Sequence, residues 1–220
     1  GAAGAALATV AAQAAGVLLS LAVIRRRTLP FTIGKKNLRF ERRLVGKILA
    51  LGTPIALQDL LVSISFLVIL AIVNSMGVIA SAGVGVAEKL CAFIMLVASA
   101  YMQSMSAFVA QNMGAGKPER AKRALLYGIG TSLMAGVTLF YFSFFHGDAM
   151  AGIFARDPQV VAAAADYLKA YAIDCILTSF LFCFVGYFNG CGKTFFVMVQ
   201  GIVGAFCVRI PVSWFMSRMA

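Results

Sequence analysis

The chain alternates long apolar runs with short polar stretches. Six runs contain about 20 or more mostly apolar residues, the length that a membrane-spanning helix requires. They cover residues 2–24, 48–76, 86–113, 124–145, 161–188 and 195–216. Transmembrane β-strands would instead alternate polar and apolar positions over about 10 residues. The pattern therefore predicts an all-α polytopic membrane protein with six transmembrane helices.

The composition supports a membrane protein and excludes several other classes. Hydrophobic residues make up 61% of the chain and charged residues only 12%, whereas soluble domains average about 45–50% and about 25%. These values exclude a disordered chain, a secreted disulfide scaffold and an ordinary soluble enzyme. The chain begins with Gly1 inside an apolar run, so we expect it to be a piece of a longer protein.

The net charge of +11 is distributed unevenly along the chain. Most Lys and Arg residues lie in the alternate connectors 25–47, 114–123 and 189–194. The positive-inside rule predicts that these three connectors are cytoplasmic. We expect the protein to lie in the plasma (inner) membrane. A basic run can also bind nucleic acid, but its position between two spans favours topology. We therefore expect the lipid bilayer as a partner and no nucleic acid.

Two glycine-rich motifs resemble sites but fail on spacing or context. Residues 192–194 read Gly-Lys-Thr, yet the first glycine of a phosphate-binding loop would fall at Tyr187. Residues 114–117 are predicted to form a helix end and turn, with Pro118 opening the next helix. The five cysteines show no paired spacing for a metal. We expect neither an enzyme nor a bound cofactor, apart from Na⁺ or H⁺ as a coupling ion.

Acidic residues inside the apolar runs are the strongest functional signal. Asp59 and Asp174 lie deep in their segments, and Glu88 is expected nearer the outer end of its segment. A charge at the bilayer centre costs roughly 2.5–3.5 kcal/mol on insertion scales. One interpretation is a cation or proton site that faces a wet cavity. The other is an ion pair between helices, for which Arg209 and Lys89 are the available partners.

Further residues are candidates for the substrate cavity. Met102 and Gln103 lie in the third segment, where flexible thioether side chains suit varied apolar cations. Ordinary helix packing explains the methionines equally well. Gln58 and Arg209 complete the predicted cavity set.

Two prolines fall within predicted spans. Pro54 is expected near a helix start, where a proline is harmless. Pro211 either bends its helix or lies harmlessly near a helix start. Broken helices often line the substrate path of transporters.

Five motifs in a fixed order resemble one known family, the multidrug and toxic compound extrusion (MATE) transporters. The motifs are GAALAT at 4–9, GTPIALQ at 52–58, QNMGAGKPERA at 111–121, DPQV at 157–160 and GYFNGCGKT at 186–194. The resemblance implies a two-lobe body of twelve helices that exports drugs or organic cations in exchange for Na⁺ or H⁺.

The resemblance also implies a division of the chain. Residues 1–24 would be the last helix of the N-lobe, 25–47 a basic inter-lobe linker, and 48–220 five of the six C-lobe helices. Helices one to five and twelve of the family are expected to lie outside this chain. Thr9 matches the threonine of the family's N-lobe cation site.

The C-lobe site of the family does not transfer directly. Its two acidic positions align with Val62 and Thr178 in this chain. Asp59 and Asp174 lie about one helical turn before those positions, which keeps them on the same helix faces. We therefore predict a displaced cation or proton site of Asp59 and Asp174, with Glu88 nearby.

The function expected from these features is cation-coupled export of drugs or organic cations by alternating access. One alternative is a flippase for a lipid-linked precursor, built on a related two-lobe fold. Such a protein needs a cationic cavity, and Arg209 is the one deep cation that the sequence offers. Another alternative is a non-transporting scaffold, against which the costly intramembrane acids argue.

Overall fold

The computed structural model describes residues 2–26 and 40–218. The chain divides into two units, Gly1–Val45 and Gly46–Ala220. The first unit contains α1 (Ala2–Arg26), an apolar helix whose last turn carries Arg25 and Arg26. Residues 27–39, the middle of the predicted linker, lie outside the described residues.

The other helices follow in chain order with short turns between them. They are α2 (Arg42–Asn74), α3 (Val78–Gly114), α4 (Pro118–Phe145), α5 (Gly147–Gly152), α6 (Pro158–Gly190), α7 (Thr194–Val203) and α8 (Ile210–Ser217). A π-helical turn, Gly204–Arg209, joins α7 to α8. Among the described residues, six helical segments are long and apolar enough to cross a membrane. The all-α class and the six predicted spans are therefore confirmed.

Two helices begin earlier than the apolar pattern predicts. α2 starts at Arg42 and α3 at Val78, several residues before the expected starts at 48 and 86. α2 continues through the basic stretch 42–47, and α3 includes the largely apolar residues 78–85. A helix satisfies its own backbone hydrogen bonds, so it can extend beyond its most apolar run. The expected position of Pro54 near a helix start was wrong, because Pro54 lies inside α2.

Glycines in left-handed conformations make three of the tight turns. Gly77, Gly116 and Gly192 have φ values of 111°, 68° and 75°, which side chains with a Cβ atom rarely adopt. The predicted end of α3 and restart at Pro118 are confirmed. The Gly-Lys-Thr motif is likewise a turn, since Gly192 reverses the chain between α6 and α7.

Helices α3, α4 and α6 pack into what we call the three-helix bundle. Gly186 of α6 lies directly against the backbone of Met102, and Gly190 lies against Val109. Small residues let helix backbones approach closely in a membrane, where lipid offers no hydrophobic drive for association. The hydroxyl of Ser179 adds a hydrogen bond to the Ser132 carbonyl, at 3.2 Å.

Two other long helical segments, α2 and α7–α8, contain irregular backbone hydrogen bonding. We call them the interrupted helices. Pro54 has no N–H group, so it leaves the carbonyl of Ala50 without its usual partner. The π-helical turn ends two residues before Pro211. Pro211 is the second residue of α8, which corresponds to the position near a helix start that the sequence left open, and the turn before it departs from α-helical geometry.

Candidate functional site

Asp174 lies at the middle of α6, about 24 Å from either end at about 1.5 Å per residue. Its side chain is half-buried. The hydroxyl of Thr178, one turn later, donates to the Asp174 backbone carbonyl at 2.7 Å. The carboxylate of Asp174 takes no part in this hydrogen bond. It is close enough to Arg209 to be influenced by its charge.

Glu88 lies in the first third of α3. Because α3 begins at Val78, Glu88 sits about 15 Å along the helix from its first residue. Its side chain is exposed in this structure. Its position nearer the outer side of the membrane stays a prediction.

Tyr167 of α6 is influenced by charged groups from several segments. Glu88, Asp174 and Arg209 all lie within electrostatic range of the Tyr167 hydroxyl. The groups come from α3, α6 and the π-helical turn. The electrostatic influence of two acids and one base therefore reaches this residue, although no hydrogen bond or ion pair joins these three groups within the described residues. Tyr167 was not among the predicted site residues, because these charged groups come from segments that are far apart in the chain.

Asp59 lies near the middle of α2, with an exposed side chain. Its backbone carbonyl accepts a hydrogen bond from Ser63 at 2.7 Å. It does not belong to the charged groups that act on Asp174 or Tyr167. The structure places Asp59 and Asp174 at similar distances from their helix ends but records no direct contact between them, so the pair stays a prediction.

Direct ion pairs do not neutralise the intramembrane acids. Across residues 2–26 and 40–218 the structure contains two ion pairs, Lys122–Glu119 at 2.8 Å and Lys169–Asp166 at 3.2 Å. Neither involves Asp59, Glu88 or Asp174. The alternative in which Arg209 or Lys89 pairs directly with one of these acids is therefore not formed in the part of the chain described. Within the same residues, no three His, Cys, Asp or Glu side chains group to hold a metal ion.

Arg209 ends the π-helical turn and reaches toward α2 instead of a carboxylate. Its guanidinium carbon lies 4.4 Å from the centre of the Phe66 ring. Its Nη1 donates to the hydroxyl of Ser65 at 3.5 Å. Sequence reasoning missed Phe66 and Ser65, because both read as ordinary members of an apolar run.

The other predicted cavity residues divide between packing and exposure. Met102 is half-buried, and its backbone forms part of the contact between α3 and α6. Gln103 is exposed. Gln58 of α2 is half-buried against Gly201 of α7. Gln58 and Arg209 therefore both lie where the two interrupted helices meet, whereas Met102 contributes to the three-helix bundle.

Thr9 belongs to the first unit, Gly1–Val45. It lies on α1 with an exposed side chain. Its proposed role as part of an N-lobe cation site stays a prediction.

A small cavity lies inside the three-helix bundle. It has a volume of about 10 Å³ and is lined in part by Ile94, Ser132 and Thr178. Such a space holds about one water molecule, whereas sites for drug-sized ligands occupy roughly 300–1,000 Å³. This cavity is therefore too small for a drug-sized ligand.

Comparisons with known proteins agree on a family. A FAD transporter of Shewanella oneidensis is 31% identical over 170 residues, covering 75% of this chain and 36% of that protein. A probable multidrug resistance protein of Bacillus subtilis, YoeA, is 24% identical over 218 residues, covering 98% of this chain and 47% of that protein. The chain thus spans less than half the length of these relatives.

A solved structure shows the same fold. It is a MOP superfamily transporter from Pyrococcus furiosus, matched with a TM-score of 0.69 and 17% identity over 79% of this chain and 43% of that one. The family model described as MatE matches residues 54–215. That match covers well over half of the chain and agrees with the resemblance to MATE transporters. The chain therefore belongs to the MatE family.

Proposed function

We propose that this protein exports drugs or organic cations across the plasma membrane in exchange for Na⁺ or H⁺. The observation that carries the proposal is a set of intramembrane carboxylates, in a MatE chain, without direct ion-pair partners among the described residues. A carboxylate that is not neutralised by protein is available to a coupling ion. In this proposal the connectors 25–47, 114–123 and 189–194 face the cytoplasm.

Alternating access links the coupling ion to the substrate. Binding of Na⁺ or a proton at Asp59, Asp174 and Glu88 favours one packing of the two lobes, and substrate binding favours the other. Each ligand shifts the balance only by its differential affinity for the two states. One positive charge that moves inward through 100 mV supplies about 2.3 kcal/mol. Thr9 and the other N-lobe helices complete the cavity in this proposal.

The test is ethidium efflux by the full-length protein in proteoliposomes, with either a Na⁺ or a proton gradient. We expect Asp59→Asn and Asp174→Asn each to lower coupled efflux at least about tenfold, because an amide cannot exchange a proton or carry charge. The gradient that drives efflux in the unmodified protein identifies the coupling ion.

Asp166→Asn is the matched control on the same helix as Asp174. Asp166 is exposed and already paired with Lys169 at 3.2 Å, so its loss should leave efflux within about twofold of the unmodified protein. Normal efflux from both test variants would contradict the site. Absence of efflux from every protein would favour the flippase or the scaffold.

A second candidate substrate is FAD, favoured by the relative that is named a FAD transporter. FAD carries negative charge and a flat aromatic ring, unlike an organic cation. Uptake of FAD into the same proteoliposomes, with ethidium in parallel, distinguishes the two substrate classes.

A further inference from the structure

Arg209 is a cation within the membrane span that lacks a direct anionic partner. It lies about 12 Å from the end of α8, at about 1.5 Å per residue. Neither ion pair in the described ranges includes it, and its side chain is exposed. A charged group at this depth is costly unless it faces water, protein or a ligand.

Two residues of α2 hold the guanidinium in a defined orientation. The Phe66 ring covers one face of it at 4.4 Å, a favourable cation–π contact. Ser65 is fully buried, and its hydroxyl donates to the Val62 carbonyl at 2.7 Å. The Ser65 oxygen is thereby oriented to accept from Arg209. The head group is fixed before any ligand arrives.

Most of the hydrogen-bonding capacity of Arg209 stays available. The bond to Ser65 is the one hydrogen bond that its side chain makes within the described residues, and it is long at 3.5 Å. A guanidinium presents several further N–H donors in a planar fork that matches phosphate and carboxylate groups. Stacking on Phe66 occupies a face of this fork and leaves its edge open.

The backbone around Arg209 is also unusual. Residues Gly204–Arg209 form a π-helical turn, and Pro211 follows two residues later. Such turns are rare within helices and occur frequently at functional sites, where they re-aim a side chain. A simple lipid-facing span needs neither the π-helical turn nor the charge.

We propose that Arg209, held by Phe66 and Ser65, binds a phosphate or carboxylate group of the exported substrate. The proposal rests on the proposed export function and names the substrate class as molecules that carry such an anionic group. In this proposal Arg209 serves the substrate, whereas the carboxylates of Asp174 and Glu88 serve the coupling ion.

The experiment uses the full-length protein in proteoliposomes and two fluorescent probes that differ by one phosphate group, riboflavin and flavin mononucleotide. Ethidium is the cationic reference. We expect Arg209→Gln to raise KM for flavin mononucleotide about tenfold or more, since a hydrogen bond to a charged group is typically worth about 1.5–3 kcal/mol. The readout is the ratio of the KM values for flavin mononucleotide and riboflavin, which should rise because only flavin mononucleotide carries the phosphate group.

Arg209→Lys and Arg218→Gln complete the design. Lysine keeps the charge but not the fork, so we expect an intermediate KM. Arg218 also stacks on an aromatic ring, that of Trp214 at 4.2 Å, but lies past the end of α8, so its change should leave every probe unaffected.

The outcomes separate this proposal from the export function. Ethidium efflux without transport of flavin mononucleotide would overturn the anion site and leave cation export standing. Equal loss of all probes in Arg209→Gln and Arg209→Lys, with normal Arg218→Gln, would instead assign Arg209 to fastening α2. Absence of transport of every probe by the unmodified protein would overturn both proposals.

Discussion

The three-helix bundle and the interrupted helices are built on different principles. In the bundle, Gly186 and Gly190 bring backbones into direct contact, and the core side chains are buried. Between the interrupted helices, contact runs through long side chains, as Gln58 meets Gly201 and Arg209 meets Phe66.

Backbone contact gives a rigid scaffold, whereas contact through side chains leaves room for relative movement. Gln58, Asp59 and Arg209 lie on the interrupted helices, whereas Glu88 and Asp174 lie on the three-helix bundle. Pro54 and the π-helical turn add points at which these helices depart from regular hydrogen bonding. The difference suggests that the bundle supports the site and the interrupted helices carry its moving parts.

The largest stability effect is expected from Gly186→Ala in the bundle. A Cβ atom there would lie 2.5 Å from the carbonyl oxygen of Met102, and backbone atoms on both sides cannot give way. We expect a loss of about 2–3 kcal/mol in the free energy of unfolding in detergent. Gly130→Ala is the control, because nothing lies within 4 Å of its Cβ position. Equal stability of both variants would contradict the close backbone contact.

A change of intermediate size is expected from Pro54→Ala in α2. Alanine restores the N–H group, so the carbonyl of Ala50 regains its helical partner and stability should rise by about 1–3 kcal/mol. The efflux rate should fall, because the helix loses its point of bending. Pro158→Ala is the control, since Pro158 lies in the first turn of α6, where proline is favoured. If Pro54→Ala matched Pro158→Ala in both stability and efflux rate, Pro54 would have no role in bending α2.

The smallest effect is expected from Gly201→Ala between the interrupted helices. The added Cβ would lie 2.7 Å from Nε2 of Gln58, the far end of a flexible side chain. Because that side chain can rotate away, we expect a loss below about 1 kcal/mol. Unfolding of Gly201→Ala and Gly186→Ala under the same conditions compares the two regions directly. A loss as large as that of Gly186→Ala would show that both regions are equally rigid.

Helix positions were predictable from local sequence, but their ends were not. The apolar runs located every long helix, and Gly116 with Pro118 located the turn between α3 and α4. The starts of α2 and α3 were placed too late, since a helix continues beyond its most apolar run once its hydrogen bonds are formed. For α2 that error made Pro54 seem to lie near a helix start.

The candidate site was predictable only in part. Asp59, Asp174 and Arg209 were identified from the sequence, because a charge within an apolar run is conspicuous by its cost. Tyr167 was not predicted as a site residue, since the charged groups that influence it come from three separate segments. Met102 was named for its chemistry, but its backbone lies in the helix contact with Gly186.

The sequence by itself determined the class of protein, the six membrane-spanning helices and the family. These follow from local properties, since a run of about 20 apolar residues crosses a bilayer and a helix satisfies its own backbone. Only the tertiary structure decided what surrounds each charge. Ser65 and Arg209 are 144 residues apart in the chain, and no local pattern pairs them. Packing of α2 beside the π-helical turn brings them together, and this contact gives the lone guanidinium a defined orientation.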